Sequence, residues 1–381
     1  MGALYDRVAR LRDRLVMAPA FHRIVTSLPF GKTIAASQAE ATFDVVAGFV
    51  YAQTLAALVS LGVLERLAGG PRSTENLAAE LDLTPRAVEV MMRAAHAKGL
   101  VDRRTGGWGL GMKGAAILGQ GGIAEMVAHH HHFYADLADP VALMRGGKPT
   151  ELAAYWTYTG QSDVPASDDG AATGPESAMP AADAAPYSRL MAASQAFVAD
   201  AVLHNRPFRR ARHLVDLGGG AGAFGIAALK CHKNLTLTVA DRPDVVPLAE
   251  AALTDAGLDH RADAQAIDFF EDGLAFRADL VSLVRVLHDH DDAAVAVLLG
   301  ALAHGSPDAA LVVIEPMADL ARPTGMDAYF PWYFMAMGQG RLRTYDELCA
   351  LLKAAGYTDI RPLKSKNPVL VRALVARCKP D

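Results

Sequence analysis

Residues 213–230 read HLVDLGGGAGAFGIAALK: an apolar run reaching Asp216 and Leu217, then Gly218, Gly219 and Gly220, a further Gly222, and an apolar helical pattern. A strand that turns through glycines straight into a helix leaves backbone N–H groups free at the helix start and lets a ligand lie against the main chain. Such a strand is stable only when it is paired in a sheet, so the flanking sequence is constrained too. Strands are expected at His213–Leu217, Leu235–Ala240, Ala264–Ile267, Ala278–Leu287 and Ala310–Glu315, with apolar helices between most of them. That alternation predicts an α/β fold, a mostly parallel Rossmann-like sheet covered on both faces over residues 206–381. TDIRPLK and PVLVRALVA, on either side of Ser365–Pro368, predict a terminal hairpin that adds an antiparallel strand.

With 381 residues the chain is too long for one ordinary domain. Residues 1–40 read as a helical extension, 41–125 as a mainly helical winged-helix domain, and 126–205 as a helical connector with a mobile loop over 161–186. Ser73 or Thr74 caps one helix, Thr84 with Pro85 starts the next, Gly99 stops it, and Arg103–Gly107 turn a short hairpin into Trp108. DNA recognition is the usual use of such a module, but the second helix carries Val88, Val90, Met91, Met92, Ala94 and Ala95 and reads as buried, and the net charge is −5. A dimerisation platform and a homodimer, with no nucleic acid, are therefore expected. Residues 45–64, VVAGFVYAQTLAALVSLGVL, are uncharged and long enough to span a bilayer, but Gln53, Thr54 and Ser60 interrupt them and no basic anchor flanks them. They are expected to form a buried interdomain or intersubunit helix of a soluble protein without a transmembrane segment.

The first residues lack an uninterrupted apolar core, which argues against a signal peptide. Cys231, Cys349 and Cys378 are far apart and without metal-like spacing, as expected in the reducing cytoplasm. Adjacent His129–His132 point to different sides of a helix, so one or two facing a pocket is expected, and no metal centre.

Gly218, Gly220 and Ala223 satisfy GxGxxA, and Asp241 stands where a ribose hydroxyl is bound, so a nicotinamide nucleotide and S-adenosylmethionine both remain open on the motif. Asp216 puts an anion just ahead of the glycines, awkward for a pyrophosphate and favourable for an ammonium and a sulfonium. Asp268 and Phe269 offer an acceptor and a ring face of the kind that reads adenine. The fourth strand runs into VLHDHDD, which brings His288 to the carboxyl edge of the sheet, and Glu315 ends the next strand. An imidazole there suits proton transfer, oriented by the carboxylate.

VDLGGGAG, DRPDVV, DFF, VLHDHDD and VVIEP followed by GQGRLRT resemble, in order, the class I S-adenosylmethionine O-methyltransferases with an N-terminal winged-helix dimerisation domain. The resemblance covers nearly the whole chain from about residue 40. HHHHFYADLADPVALMRGG, Trp156 and Tyr158, PYSRLMAASQAFVAD and YFMAMGQGR are most similar to the bacterial carotenoid branch of that family. It implies S-adenosylmethionine as cofactor, bound by Asp216, Gly218, Gly220, Asp241, Asp268, Phe269 and Arg285, with His288 as catalytic base and Glu315 as its acidic partner. A second acidic partner of the plant enzymes falls at Leu342, and the lysine usual four residues before the His is Val284, with Arg285 displaced by one.

The implied reaction is methylation of a lipophilic alcohol, the 1-hydroxyl of an acyclic carotenoid, by an enzyme peripheral to the inner membrane. Tyr134, Trp156, Tyr187, Met191, Trp332, Met335 and Met337 are expected to contact substrate, with Phe133, Phe330 and Phe334 as further wall candidates. A phenolic or polyketide acceptor, and a winged-helix regulator that senses S-adenosylmethionine, stand as the other readings.

Overall fold

A computed structural model describes residues 2–120, 122–158, 194–269, 273–368 and 371–378. The chain divides into two compact units, Met1–Leu118 and Gly119–Asp381.

The first unit begins with helices α1 (Gly2–Met17), α2 (Pro19–Ser27), α3 (Pro29–Ser60) and α4 (Val63–Ala68). A winged helix follows: α5 (Thr74–Leu81), α6 (Pro85–Ala97) and the antiparallel hairpin of β1 (Val101–Arg104) and β2 (Gly107–Leu110). Ser73 Oγ accepts the Asn76 N–H at 3.1 Å and Thr84 Oγ1 the Ala87 N–H at 3.2 Å, the two caps expected from the sequence. α6 turns Val88, Met92 and Ala95 into a core with Leu58, Leu64 and Trp108, while Val90, two positions off that face, is exposed. Trp108 ties the wing down: its indole N–H donates to Thr74 Oγ1 at 3.2 Å and the Arg103 guanidinium lies 3.5 Å over its ring.

The segment expected to form a buried interdomain or intersubunit helix falls on α3. Among the described residues its middle is uncovered: Phe43, Val46 and Phe49 are exposed and Val45 is 83% exposed. Leu58, near its C-terminal end, packs inward. By length and composition alone, Phe30–Ser60 would also pass for a membrane span.

The second unit follows α7 (Met112–Gly119) with α8 (Ile123–Leu137), α9 (Pro140–Arg145), α10 (Glu151–Tyr158), α11 (residues 194–202) and α12 (Arg206–Arg210). The α/β part then runs β3 (His213–Leu217), α13 (Ala223–Cys231), β4 (Thr236–Asp241), α14 (Val246–Asp255), β5 (Ala262–Ala266), β6 (Leu280–Val284), α15 (Asp292–Gly305) and β7 (Ala310–Glu315). After it come β8 (Met317–Ala318), α16 (Gly325–Met337), β9 (Arg343–Thr344), α17 (Tyr345–Ala354), β10 (Asp359–Leu363) and β11 (Arg372–Arg377).

Seven strands form one sheet in the order β10-β11-β7-β6-β3-β4-β5, all running in one direction except β11, which is antiparallel to both β10 and β7. Alternation sends Leu214, Leu237, Val239, Leu280 and Val312 to one face, with Phe208 and Phe224, and Val215, Leu217, Val281, Leu283 and Val313 to the other, with Leu298 and Leu352. The order of connection reverses between β3 and β6, which opens a crevice at their carboxyl ends.

Phe208 and Phe224 are fully buried, 5.9 Å apart and edge to face. Phe208→Ala is expected to lower stability by about 3–5 kcal/mol through the cavity it leaves, whereas exposed Val297→Ala should change it by less than about 0.5 kcal/mol. Urea unfolding of the full chain followed by circular dichroism checks both.

Candidate active site

β3 delivers the glycine turn to the crevice. Gly218 has φ +70° and donates its N–H to Ala240 O at 2.8 Å. A Cβ at this position would come within 2.7 Å of Val286 Cγ2 and 3.3 Å of Phe269 Cζ, so conformation and space both demand glycine. Gly220, at φ +57°, donates its N–H to Asp241 Oδ2 at 2.7 Å, and Asp241 Oδ1 accepts the Arg242 N–H at 2.8 Å. The end of β4 thereby pins the turn that follows β3.

Asp216 is fully buried beneath that turn. Its Oδ1 accepts the Ser282 hydroxyl at 2.6 Å, while Oδ2 is buried without a partner among the described residues. Burial pushes its carboxyl up to about 7, against the lowering effect of the Ser282 bond. Asp268 and Phe269 follow β5, so β3, β4 and β5 bring Asp216, Gly218, Gly220, Asp241 and Phe269 to one edge of the sheet.

On the other side of the crevice the structure departs from the expected long fourth strand. β6 stops at Val284, Arg285 takes φ +56°, and His288 sits in a 3-10 turn over Leu287–Asp289. Glu315 at the end of β7 is the cause. Its Oε1 accepts the N–H groups of Val286 and Leu287 at 3.0 and 2.8 Å, drawing the chain out of the ladder, and its Oε2 accepts from His288 Nδ1.

The other ring nitrogen, Nε2, lies 3.2 Å from Asp289 Oδ1. Burial alone would lower the basicity of His288, but the charges of Asp289 and Glu315 overcome it and hold the imidazolium up to about 10. Arg343 braces the turn from behind: it is 2% exposed and donates to Leu287 O at 2.6 Å, His290 O at 2.8 Å and Asp292 Oδ1 at 2.8 Å. The rings of Phe334 and Phe330 lie 5.4 and 6.2 Å from the imidazole.

An apolar cavity of about 360 Å³ opens beside Glu315, with Arg285, Met126, His130, Phe197, Met326, Tyr329 and Phe330 among its walls. Arg285 crosses to Ser194 Oγ at 2.9 Å. His130 Nε2 is hydrogen-bonded to the Tyr329 hydroxyl at 2.8 Å and His129 Nε2 to that of Tyr333 at 3.0 Å. Burial lowers both imidazoles, His129 to about 4. Among the described residues no His, Cys, Asp and Glu cluster could hold a metal ion. A larger groove of about 480 Å³, with Arg206, Arg210, Asp279 and Arg377 in its walls, lies at the opposite edge, away from these groups.

Of the expected substrate contacts, Phe330 lines the cavity, and Tyr134 packs edge-on to His130 at 6.1 Å. Met337, Phe133 and Phe334 belong instead to a small core with Leu143 and Leu152, against which Trp332 packs, and Met335 is 45% exposed. Met326, Tyr329 and Phe330 share one face of α16 and Met335 lies opposite it, whereas Met337, on the same face two turns beyond Phe330, packs into the core. The side chain of Trp156, the residues Tyr187 and Met191, and the loop 161–186 fall outside the described residues. Sequence reasoning missed the roles of Ser282, Asp289, Tyr329 and Arg343. Arg343 had a signal in GQGRLRT, but a charged residue in a sequence reads as exposed by default.

Comparison with known proteins accounts for this arrangement. Residues 175–358 match the O-methyltransferase domain and residues 43–114 the O-methyltransferase dimerisation domain. The chain is 38% identical over 372 residues to demethylspheroidene O-methyltransferase of Cereibacter sphaeroides, covering 97% of this chain and 95% of that protein. It is 36% identical over 366 residues to the Rhodobacter capsulatus enzyme of the same name, covering 95% and 88%. The solved structure of human N-acetylserotonin methyltransferase in complex with SAM superposes with a TM-score of 0.71 at 24% identity, over 90% of this chain and 98% of that one, and shows the same fold. The chain belongs to the S-adenosylmethionine-dependent O-methyltransferases that carry this dimerisation domain.

Proposed function

We propose that this enzyme, as a homodimer built on its first unit, methylates the 1-hydroxyl of an acyclic carotenoid. The observation that carries the reading is an apolar cavity beside Glu315, the carboxylate that holds His288, in a chain 38% identical to an enzyme named for demethylspheroidene. A cavity of about 360 Å³ takes the hydroxyl-bearing end of a polyene, not its length. Such a substrate resides in a bilayer, so the enzyme meets it at a membrane surface.

The glycine turn fits the cofactor. Asp216 presents a buried carboxylate oxygen that has no partner among the described residues, an acceptor matched to a cation, and the Cβ direction of Gly220 is open. Asp216, Gly218 and Gly220 would hold the methionine part, Asp241 the ribose, Asp268 and Phe269 the adenine, and Arg285 the carboxylate end. When bound, S-adenosylmethionine supplies an electrophilic methyl group on a sulfonium.

Glu315 keeps the Nδ1 proton in place, which leaves Nε2 of His288 as the atom that takes the hydroxyl proton. An aliphatic alcohol is a weak acid, so its proton leaves during or after bond formation. An imidazolium held up to about 10 leaves only a small fraction of His288 able to accept that proton at neutrality. Phe330 and Phe334 beside the ring keep water from it, and positioning of the hydroxyl is worth on the order of 7–11 kcal/mol in favourable cases.

Labelled methyl from S-adenosylmethionine should enter a hydroxylated acyclic carotenoid and not a panel of phenols; incorporation into phenols alone overturns the substrate assignment. Because His288 must lose its proton to act, the rate should climb from neutrality by about tenfold per pH unit toward the alkaline side. Asp289→Asn, which removes one of the two anions that raise it, should move that rise toward the ordinary imidazole range. A native profile already flat at pH 7 contradicts the raised imidazolium, and full turnover in His288→Ala contradicts the base role. Asp241→Asn should weaken cofactor binding in calorimetry by roughly ten- to a hundredfold, as expected for loss of a charged acceptor.

A further inference from the structure

α1 lies outside both matched family domains and has an apolar stripe with no cover among the described residues. Leu4, Val8, Leu11 and Leu15 recur at i, i+4, i+7 and i+11 on one face and are 47–71% exposed. A 16-residue helix with so little buried is marginal in water, so the stripe needs a partner.

The charges identify its chemistry. At 100° per residue, Arg7 and Arg14 flank one border of the stripe and Arg12 the other, while Asp6 and Asp13 lie on the opposite pole and Asp13 holds the Arg12 guanidinium at 2.6 Å. Arg7 and Arg14 along one border, with the acids at the far pole, form the arrangement that lets guanidinium groups reach anionic headgroups while the leucines enter the acyl boundary. Residues 2–34 hold six Lys and Arg against two Asp, a net +4, which leaves −9 for the rest of a chain whose total is −5.

We propose that α1 lies in the surface of an anionic bilayer. The purpose of this contact rests on the reading of a bilayer-borne substrate; its binding rests on the residues of α1 alone. α3, whose exposed apolar residues from Phe43 onward fall within the dimerisation domain, is a separate surface.

The test is flotation of the full chain with vesicles of equal parts phosphatidylcholine and phosphatidylglycerol, and with phosphatidylcholine alone. Binding to the anionic vesicles that weakens as salt is raised is the expected result. Arg7→Ala with Arg14→Ala should lower the partition coefficient by roughly thirtyfold, about fivefold for each arginine, and Val8→Asp should abolish flotation. Unchanged S-adenosylmethionine affinity shows that the variants are folded. No flotation of the native chain, or equal binding to neutral vesicles, overturns the proposal. So does a fall from dimer to monomer in Val8→Asp by light scattering, which gives the stripe to a second copy. Methylation of a detergent-dispersed carotenoid is read separately: turnover without flotation sinks the anchor alone, and flotation without turnover sinks the substrate alone.

Discussion

The site depends on one buried carboxylate. Glu315 is 2% exposed, and a charge so removed from water is tolerable only when its oxygens are filled with donors. Three arrive from a single turn: the N–H groups of Val286 and Leu287 and Nδ1 of His288. Satisfying the anion therefore ends β6, shapes the 3-10 turn and selects the ring nitrogen that faces the carboxylate. Arg343 closes the arrangement from the other side by binding two carbonyls of the same turn, so the imidazole is held by the backbone as much as by its own rotamer. The positive φ of Arg285, costly for a residue with a side chain, is where the chain absorbs the change of direction.

The sheet was legible because its signals are local. Apolar runs separated by helical patterns and a glycine turn define β3, β4 and β7 to within a residue or so, and the final hairpin follows from two β-rich segments about a turn. The winged helix was legible for the same reason, since Ser73 and Thr84 are capping residues whose hydrogen bonds span three positions. The fourth strand was read too long. Nothing in LVRVLH says that a glutamate 27 residues later will pull its amides out of register. The pattern reads α3 as a buried interdomain or intersubunit helix, and it does not say which surface meets Phe43, Val45 and Phe49.

Side-chain placement on α16 marks the limit of pattern reading. Its sequence, GMDAYFPWYFMAM, is apolar all round, so the pattern does not say which residues meet the cavity and which the neighbouring core. Three-dimensional packing decides: Met326, Tyr329 and Phe330 go to one and Phe334 and Met337 to the other. The histidine run on α8 divides in the same way. His129 and His130 find tyrosine hydroxyls on α16, and His131 remains exposed.

Those histidine–tyrosine pairs have a consequence for what the chamber can admit. Imidazoles whose protonation is suppressed by burial, and the Tyr329 phenol whose ionisation burial also opposes, stay uncharged together across the physiological range. These pairs thus add dipoles to a lining whose charged members are Arg285 and Glu315. Swings in cellular acidity leave that part of the wall unaltered.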